Sequence, residues 1–206
     1  MNVITKYFKN LTEQQQKQFA MLYDLYQDWN AKINVISRKD IDSLYERHVL
    51  HSLAIAKYAH FCKGTTLMDV GTGGGFPGIP LAIMFPDCHF HLIDSIGKKT
   101  MVATEVAKAI GLNNVTISHK NVKEEKGKYH YIISRAVMVA PELLKLVGKN
   151  IQQQNINALP SGVILLKGGN LSEEISKIHR PTEIVDISNY FEEDFFETKK
   201  IVYIQS

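Results

Sequence analysis

Cysteine is scarce in this sequence. The 206 residues include only Cys62 and Cys88, and the pair lacks the C-x-x-C spacing typical of zinc sites. Two isolated cysteines exclude a disulfide framework, and no other pattern indicates a metal site. We therefore predict two buried thiols and no bound metal.

Long apolar runs are also missing. No stretch approaches the roughly 20 residues needed to cross a membrane. The segment from Met1 to Asn10 carries two lysines but no following apolar region, unlike a signal peptide. We expect a cytoplasmic protein without membrane association. Its 45% hydrophobic content suits one compact core, and we predict a monomer.

Neither sign of charge dominates the chain as a whole, because the net charge is only +3. The excess is uneven, however: residues 1–169 have a balance of +7, and residues 170–206 have a balance of −4. A basic body suits a polyanionic partner such as nucleic acid, although many solvated protein surfaces have the same balance. Charge alone therefore leaves nucleic-acid binding open.

Helical periodicity marks the first 63 residues. Thr12-Glu13-Gln14-Gln15 has the form of a capping box, and apolar residues follow it at helical spacing as far as Ile33. A second helix is predicted from Asp40, as its N-cap, to about Phe61. Residues 1–63 are therefore predicted to form a helical extension.

From residue 64 onward, short runs rich in Ile, Val and Leu alternate with helical segments, which is typical of βαβ units around a parallel sheet. Strands are predicted at 67–70, 90–94, 115–118, 131–134, 162–167, 182–187 and 200–205, with helices at 98–110, from 141, and at 171–178. No helix separates the last two strands, so they should pair antiparallel. Residues 64–206 thus predict a seven-stranded, mostly parallel sheet that ends in an antiparallel hairpin.

A cluster of glycines follows the first predicted strand, within Asp69-Val70-Gly71-Thr72-Gly73-Gly74-Gly75-Phe76-Pro77-Gly78. Such a turn lets backbone N–H groups approach a ligand. Two cofactors fit. The G-x-G-x-x-G spacing that starts at Gly73 matches the dinucleotide fingerprint, and the D-x-G-x-G-x-G spacing that starts at Asp69 matches the loop of S-adenosylmethionine-dependent methyltransferases. The terminal hairpin favours the second, because a nicotinamide-binding sheet continues with parallel strands.

The strand ends supply further candidate residues, since ligands bind outside the carboxyl ends of parallel strands. Asp94 ends the second strand, where a carboxylate accepts hydrogen bonds from both ribose hydroxyls of an adenosine. Val122 follows the third strand, where it would cover the adenine ring. Arg135 ends the fourth strand, and an arginine facing a pocket needs a partner or a ligand. Asp69 has two open interpretations, a ligand contact or a cap of the glycine loop.

Taken together, these motifs resemble the ribosomal RNA small-subunit methyltransferase G family, also called glucose-inhibited division protein B. The matching segments are Trp29-Asn30, Ile33-Asn34, Arg47-His48, the loop from Asp69 to Pro80, Leu92-Ile93-Asp94-Ser95, Gly97-Lys98-Lys99, Ile133-Ser134-Arg135-Ala136 and Leu166-Lys167-Gly168. The resemblance implies a Rossmann-like, S-adenosylmethionine-dependent methyltransferase that modifies N7 of a guanine in 16S ribosomal RNA. The implied partner is that RNA or the small ribosomal subunit.

The resemblance also implies roles for single residues. It places cofactor contacts at Gly71, Phe76, Val122, Lys123 and Arg135, to which the motifs above add Gly73 and Asp94. It places the RNA-facing surface at Arg47, His48, Lys98, Lys99 and Lys167. Three positions depart from the family pattern: the family often has Asp at the position of His51, an acid at that of Lys123 and a basic residue near Asn121. The changes at His51 and Asn121 bear on RNA affinity more than on chemistry.

The residue types agree with methylation at guanine N7. This atom carries a lone pair and no proton, so the reaction needs alignment and no general base, and no catalytic residue is assigned. Phe76 is a candidate for stacking on the base. The Asp/Asn-Pro-Pro-aromatic motif typical of exocyclic-amine methyltransferases is missing after the fourth strand. Two alternatives remain: an NAD-dependent oxidoreductase and a non-enzymatic ribosomal RNA-binding assembly factor.

Overall fold

A seven-stranded sheet forms the centre of the computed structural model, which describes residues 1–37, 40–135 and 137–206. Ala136 of the Ser134-Arg135-Ala136 motif lies outside the described residues. The strands are β1 (Thr66–Val70), β2 (His89–Asp94), β3 (Val115–His119), β4 (Tyr131–Arg135), β5 (Gly162–Gly168), β6 (Thr182–Asp186) and β7 (Lys199–Gln205).

The strand order is β3-β2-β1-β4-β5-β7-β6. The first five strands pair in parallel, and β7 lies antiparallel between β5 and β6. The predicted mostly parallel sheet with an antiparallel C-terminal hairpin is confirmed. The order reverses between β1 and β4, which places a crevice for a ligand outside the carboxyl ends of these two strands.

Helices cover both faces of this sheet. They are α1 (Asn2–Tyr7), α2 (Glu13–Lys32), α3 (His51–Tyr58), α4 (Gly78–Met84), α5 (Gly97–Ala109), α6 (Ala140–Val147) and α7 (Ser172–Ile175). The predicted capping box is confirmed at the start of α2: the Gln15 backbone N–H donates to the Thr12 hydroxyl at 3.2 Å, and the Thr12 N–H donates to the Gln15 side chain at 2.9 Å. Gly111 ends α5 with a φ of +70°.

The segment before α3 differs from the single helix predicted there. It begins with a 3₁₀ turn at Ile41–Ser43 and continues as a π-helix at Leu44–Leu50 before α3 starts. Asp40 occupies the predicted N-cap position, but its side chain makes no cap hydrogen bond. Its carboxylate instead accepts from the Arg47 guanidinium at 2.6 Å, because an ion pair with hydrogen bonding is stronger than a bond to a neutral backbone N–H.

Two smaller predictions also need correction. The helix expected over 171–178 spans only the four residues of α7, whose first N–H donates to the Asn170 side chain. Cys88 is buried as predicted, whereas Cys62 is exposed. The backbone of Cys62, and not its thiol, faces the interior, since its carbonyl lies 3.5 Å from the Cys88 sulfur.

Alternation along the strands divides the core between the two faces of the sheet. Leu67 and Ile133 belong to the larger apolar cluster, which includes Phe19 and Leu22 of α2. Met68, which follows Leu67, and Ile132, which precedes Ile133, belong to a second cluster on the α6 side. The N-terminal helices therefore share one core with the sheet. Within the described residues, no helix has both the length and the hydrophobicity needed to cross a membrane.

Candidate functional site

The glycine loop connects the end of β1 to the start of α4. Gly71 has a φ of +68°, and a Cβ there would collide with the Val137 side chain, so any other residue would strain the backbone and displace Val137. Asp69 closes the loop: its Oδ2 accepts from the Thr72 hydroxyl at 2.7 Å and from the Gly78 N–H at 2.8 Å. Of the two interpretations left open for Asp69, these contacts correspond to the loop cap. Burial raises the pKa of this carboxyl to about 7 despite the two hydrogen bonds and nearby Arg135.

Asp94 joins the glycine loop to the end of β2. One carboxylate oxygen accepts from the Gly73 N–H and the other from the Ile96 N–H, each at 2.8 Å. A carboxylate oxygen has two lone pairs, so both atoms can accept a further hydrogen bond. These bonds hold the loop against the strand end. Each Asp94 oxygen can still accept one more hydrogen bond, and a pair of vicinal hydroxyls needs two such acceptors.

A first cavity of about 600 Å³ opens beside Asp94, outside the carboxyl ends of β1, β2 and β4. Its volume lies in the range of small-molecule sites. The structure brings together here six of the seven residues predicted to contact a cofactor: Gly71, Gly73, Asp94, Val122, Lys123 and Arg135. Asn121 also lines this cavity, and its side chain accepts from the Lys123 backbone N–H at 3.0 Å. This bond fixes the turn that carries Val122.

Phe76 is the one remaining residue of the seven predicted to contact a cofactor, and it does not line the first cavity. Its ring is 3% exposed and packs 4.8 Å from the ring of Tyr26 and 5.3 Å from that of His48. The Arg135 guanidinium lies 5.1 Å from the centre of the same ring. Phe76 therefore supports Arg135 and offers no open face for a base, contrary to the stacking role expected from the sequence.

Arg135 is the last residue of β4, and it is partly buried. Its guanidinium donates to the ring Nδ1 of His48 at 3.1 Å and to the backbone carbonyl of Arg47 at 3.4 Å. Among the described residues, no carboxylate forms an ion pair with it. Burial lowers its pKa to about 10, while Asp69 opposes this change, so the group stays charged at neutral pH. A buried cation held only by neutral acceptors can accommodate an anionic ligand group.

His48 is neutral because of these surroundings. Burial lowers its pKa to about 3, and the charge of Arg135 acts in the same direction, whereas Asp40 opposes the shift. The neutral ring has a free lone pair on Nδ1, and that lone pair accepts the bond from Arg135. His48 thus orients the guanidinium without adding a second positive charge.

Acidification is expected to destabilise the fold through His48. Its folded pKa lies below the ordinary value near 6.5, so between about pH 6.5 and about pH 3 the unfolded chain binds a proton that the folded chain does not. Stability therefore decreases as the pH falls through this window. When the pH is lowered from about 7.5 to about 4.5, the unfolding free energy of both proteins should decrease. We expect the decrease to be smaller in His48→Gln than in the parent, by about 2 kcal/mol. Urea denaturation measures this difference. The same pH dependence in both proteins would contradict it, and His179→Gln, at an exposed histidine, is the control.

A second cavity of about 570 Å³ adjoins the first, and Arg135 belongs to the walls of both. It lies outside the carboxyl end of β5. Three residues predicted to face RNA line it, namely Arg47, His48 and Lys167. Lys167 is only 12% exposed, because its ammonium donates to the Met138 carbonyl at 2.6 Å and pairs with Glu174 at 2.8 Å.

The two remaining residues predicted to face RNA lie elsewhere, at the start of α5. Lys98 is exposed, whereas Lys99 lines the first cavity. The sequence motifs gave no site role to Phe195 and Lys199, and His51 stood out only as a departure from the family pattern, yet all three line the second cavity. Lys199 reaches the site because β7 pairs with β5, in a register that sets it opposite Gly168. The pairing of β7 with β5 was not predicted, so no signal in the sequence placed Lys199 there.

Comparison with known proteins gives a consistent result. The family model described as rRNA small subunit methyltransferase G matches residues 15–200. Proteins named Ribosomal RNA small subunit methyltransferase G are similar over the whole chain. The one from Bacteroides thetaiotaomicron is 62% identical over 205 residues, covering 100% of both chains. That from Phocaeicola vulgatus is 61% identical, covering 99% of this chain and 98% of its own. That from Cytophaga hutchinsonii is 52% identical, covering 99% of each.

Solved structures resemble the fold at low sequence identity. A SAM-dependent methyltransferase from Aquifex aeolicus has a TM-score of 0.58 and 15% identity, covering 82% of this chain and 98% of its own. A mutant of MtNAS in complex with S-adenosylmethionine has a TM-score of 0.60 and 10% identity, covering 93% of this chain and 76% of its own. At such identities the likeness concerns the fold, and it agrees with the strand order described above.

Proposed function

This chain belongs to the rRNA small subunit methyltransferase G family, and we propose that it transfers a methyl group from S-adenosylmethionine to N7 of a specific guanine in 16S ribosomal RNA. The observation that carries the proposal is the first cavity, where six residues chosen from the sequence meet at the switch point of a methyltransferase sheet. We also propose that the protein acts in the cytoplasm as a monomer, with residues 1–63 as an extension of the methyltransferase unit at 64–206.

The first cavity fits the adenosine half of this cofactor. Both oxygens of Asp94 retain a lone pair after binding Gly73 and Ile96, and two ribose hydroxyls would satisfy them. Val122 supplies apolar surface for the adenine ring. Gly71 and Gly73 line the cavity without side chains, and the space beside Gly73, where an added Cβ would meet no atom within 4 Å, is open to the ligand.

Arg135 fits the amino-acid half. Its charge has no carboxylate partner among the described residues, and the carboxylate of the cofactor's methionine portion would provide one. His48 and the Arg47 carbonyl hold the guanidinium from one side, and Phe76 supports it from another. The cofactor supplies an electrophilic methyl group on a positively charged sulfur.

The surrounding side chains suit attack by a neutral nucleophile. Guanine N7 offers its lone pair directly, so no side chain must remove a proton. Transfer to N7 would form the N7–methyl bond, break the methyl–sulfur bond and leave the positive charge on the base, with Asp94 and Arg135 holding the cofactor. The contribution of the protein is alignment of the two reactants. His48 is accordingly assigned to orienting Arg135 and not to proton transfer.

The two alternative functions are not supported. A nicotinamide-dependent oxidoreductase would extend its sheet with further parallel strands, whereas β7 enters antiparallel beside β5. A non-enzymatic assembly factor would not need to retain a complete set of cofactor-binding residues in one cavity. Here six of those predicted lie together.

The test is transfer of labelled methyl from S-adenosylmethionine to small ribosomal subunits that lack the modification, followed by mapping of the labelled nucleotide. We expect label at N7 of a single 16S guanine. Subunits that already carry the modification are the control and should accept none. Label on another atom, or binding of the cofactor without transfer to RNA, would contradict the proposed function.

A further inference from the structure

The second cavity has the position of an acceptor site. It shares Arg135 with the first cavity and lies outside the end of β5, where Lys167 and Gly168 form part of its wall. Methyl transfer requires the reacting atoms to approach within roughly 3–3.5 Å, so the base must enter from a space that adjoins the cofactor. A volume of about 570 Å³ accommodates a purine base.

Phe195 gives this cavity an aromatic surface. Unlike Phe76, it is only partly buried, and it packs edge to face on the buried ring of Phe196 at 5.1 Å. Two cations lie over the ring, the Arg47 guanidinium 5.6 Å from its centre and the Lys199 ammonium 4.7 Å, and a base that stacks on Phe195 would displace one of these side chains from the ring face. Aromatic rings bordered by Arg and Lys are typical of sites that hold an unpaired RNA base and its phosphates.

His51 adds an unsatisfied polar atom to the same wall. The residue is 6% exposed, and within the described part of the chain its ring Nε2 has no hydrogen-bond partner. The Arg47 backbone carbonyl lies near this ring and raises its pKa, and we assign the ring proton to Nδ1, which leaves the lone pair on the unpartnered Nε2. Burial, together with the charges of Arg135 and Lys199, holds its pKa well below the usual range, and Nε2 of the neutral ring is therefore an acceptor.

We propose that the target guanine occupies the second cavity, stacked on Phe195, with an N–H of its Watson–Crick edge donating to His51 Nε2. This inference rests on the proposed function and identifies the residues that hold its acceptor base. Guanine suits the site because its N1–H and its 2-amino group are donors on the edge remote from N7. A buried acceptor without a partner is costly, and the base would provide the missing donor.

The role of Phe195 is tested by Phe195→Leu in the full chain, assayed with unmodified small ribosomal subunits. Stacking on an aromatic side chain corresponds to about a tenfold or larger effect on binding. We expect kcat/KM for subunits to fall by about tenfold or more, with unchanged S-adenosylmethionine affinity by calorimetry. Phe195→Trp, which keeps an aromatic face, should retain at least about a third of the parent kcat/KM. Equal kcat/KM for Phe195→Leu and the parent would overturn the assignment.

Phe8→Leu is the matched control. Phe8 is also partly buried and has a lysine ammonium, that of Lys57, 4.6 Å from its ring centre, but it lines none of the described cavities. We expect its kcat/KM to stay within about twofold of the parent at temperatures where both proteins are folded. A loss equal to that of Phe195→Leu would mean that general destabilisation, and not stacking, accounts for the effect, and would overturn the proposal.

The role of His51 is tested by His51→Gln and His51→Leu. The Gln side-chain oxygen can replace Nε2 as an acceptor, whereas Leu fills the space without one. We expect KM for subunits to rise by about tenfold in His51→Leu and by less than about threefold in His51→Gln. Equal values for the two variants would overturn the assignment. If the parent protein itself fails to label guanine N7, the proposed function fails. If the parent labels N7 and Phe195→Leu has the same kcat/KM as the parent, the proposed function stands and only the placement of the guanine on Phe195 is refuted.

Discussion

Arg135→Met is expected to remove cofactor binding while leaving the folded protein as stable as the parent or more stable. The guanidinium is partly buried without a carboxylate partner among the described residues. Replacing a buried charge by an apolar side chain of similar length is often neutral or stabilising, by about 1–4 kcal/mol. The Met side chain also retains contact with Phe76. The free protein therefore loses a charge that has no ion-pair partner among the described residues, and it loses little packing.

The cofactor complex, in contrast, loses the cation proposed to bind the methionine carboxylate. Removing one member of a hydrogen-bonded charge pair costs about 2–5 kcal/mol in binding. Calorimetry should show S-adenosylmethionine affinity lower by about 30-fold or more, and methyl transfer should fall with it. Denaturation by urea of the same sample gives the stability. A lower cofactor affinity together with an equal or higher unfolding free energy distinguishes a ligand-binding arginine from a structural one.

Arg47→Met provides the matched control. Arg47 is 42% exposed and already paired with Asp40, so its removal leaves no vacancy in the first cavity. We expect cofactor affinity within about threefold of the parent, because exposed ion pairs contribute at most about 1 kcal/mol. If Arg135→Met binds the cofactor as tightly as the parent, or if Arg47→Met loses binding equally, the assignment of Arg135 is wrong.

The two cavities differ in how far their lining residues could be predicted from the sequence. The first cavity is built from strand ends and one glycine loop, and parallel βαβ units bring consecutive strand ends to the same edge of the sheet. Asp94 and Arg135 are predictable from the sequence because each ends such a strand. The loop itself was less predictable. Phe76 follows the glycines in sequence, but positive φ angles at Gly73 and Gly75 change the chain direction, and its ring packs against Tyr26.

The second cavity is closed by parts of the chain that are far apart in sequence. Phe195 and Lys199 reach it through the pairing of β7 with β5, a contact that alternation of apolar residues does not specify. His51 faces it after a π-helical segment, which shifts side chains off the normal helical spacing. The residues proposed to bind the substrate were therefore harder to predict than those proposed to bind the cofactor. They depend on long-range pairing and on an irregular helix.

Gly75→Ala is expected to be strongly destabilising. Gly75 has a φ of +109°, which an alanine adopts only with strain. A Cβ there would also lie 2.8 Å from Ile79 Cγ1, closer still to its Cδ1, and 3.2 Å from the Tyr26 hydroxyl. Both side chains are fully buried and cannot move aside. Strain and overpacking together should cost about 2–5 kcal/mol of unfolding free energy.

Gly111→Ala separates the cost of backbone strain from the cost of overpacking. Gly111 also has a positive φ, of +70°, but a Cβ there would meet no atom within 4 Å. Its cost should be the backbone strain alone, about 1–2 kcal/mol. Combining Gly75→Ala with Ile79→Val, which deletes the atom nearest to the new Cβ, should then cost less than the sum of the two single changes. Urea denaturation of the parent and of all four variants measures these costs. Strict additivity in this pair would mean that the close approach of α4 does not require a glycine at position 75, and that only the backbone angle does.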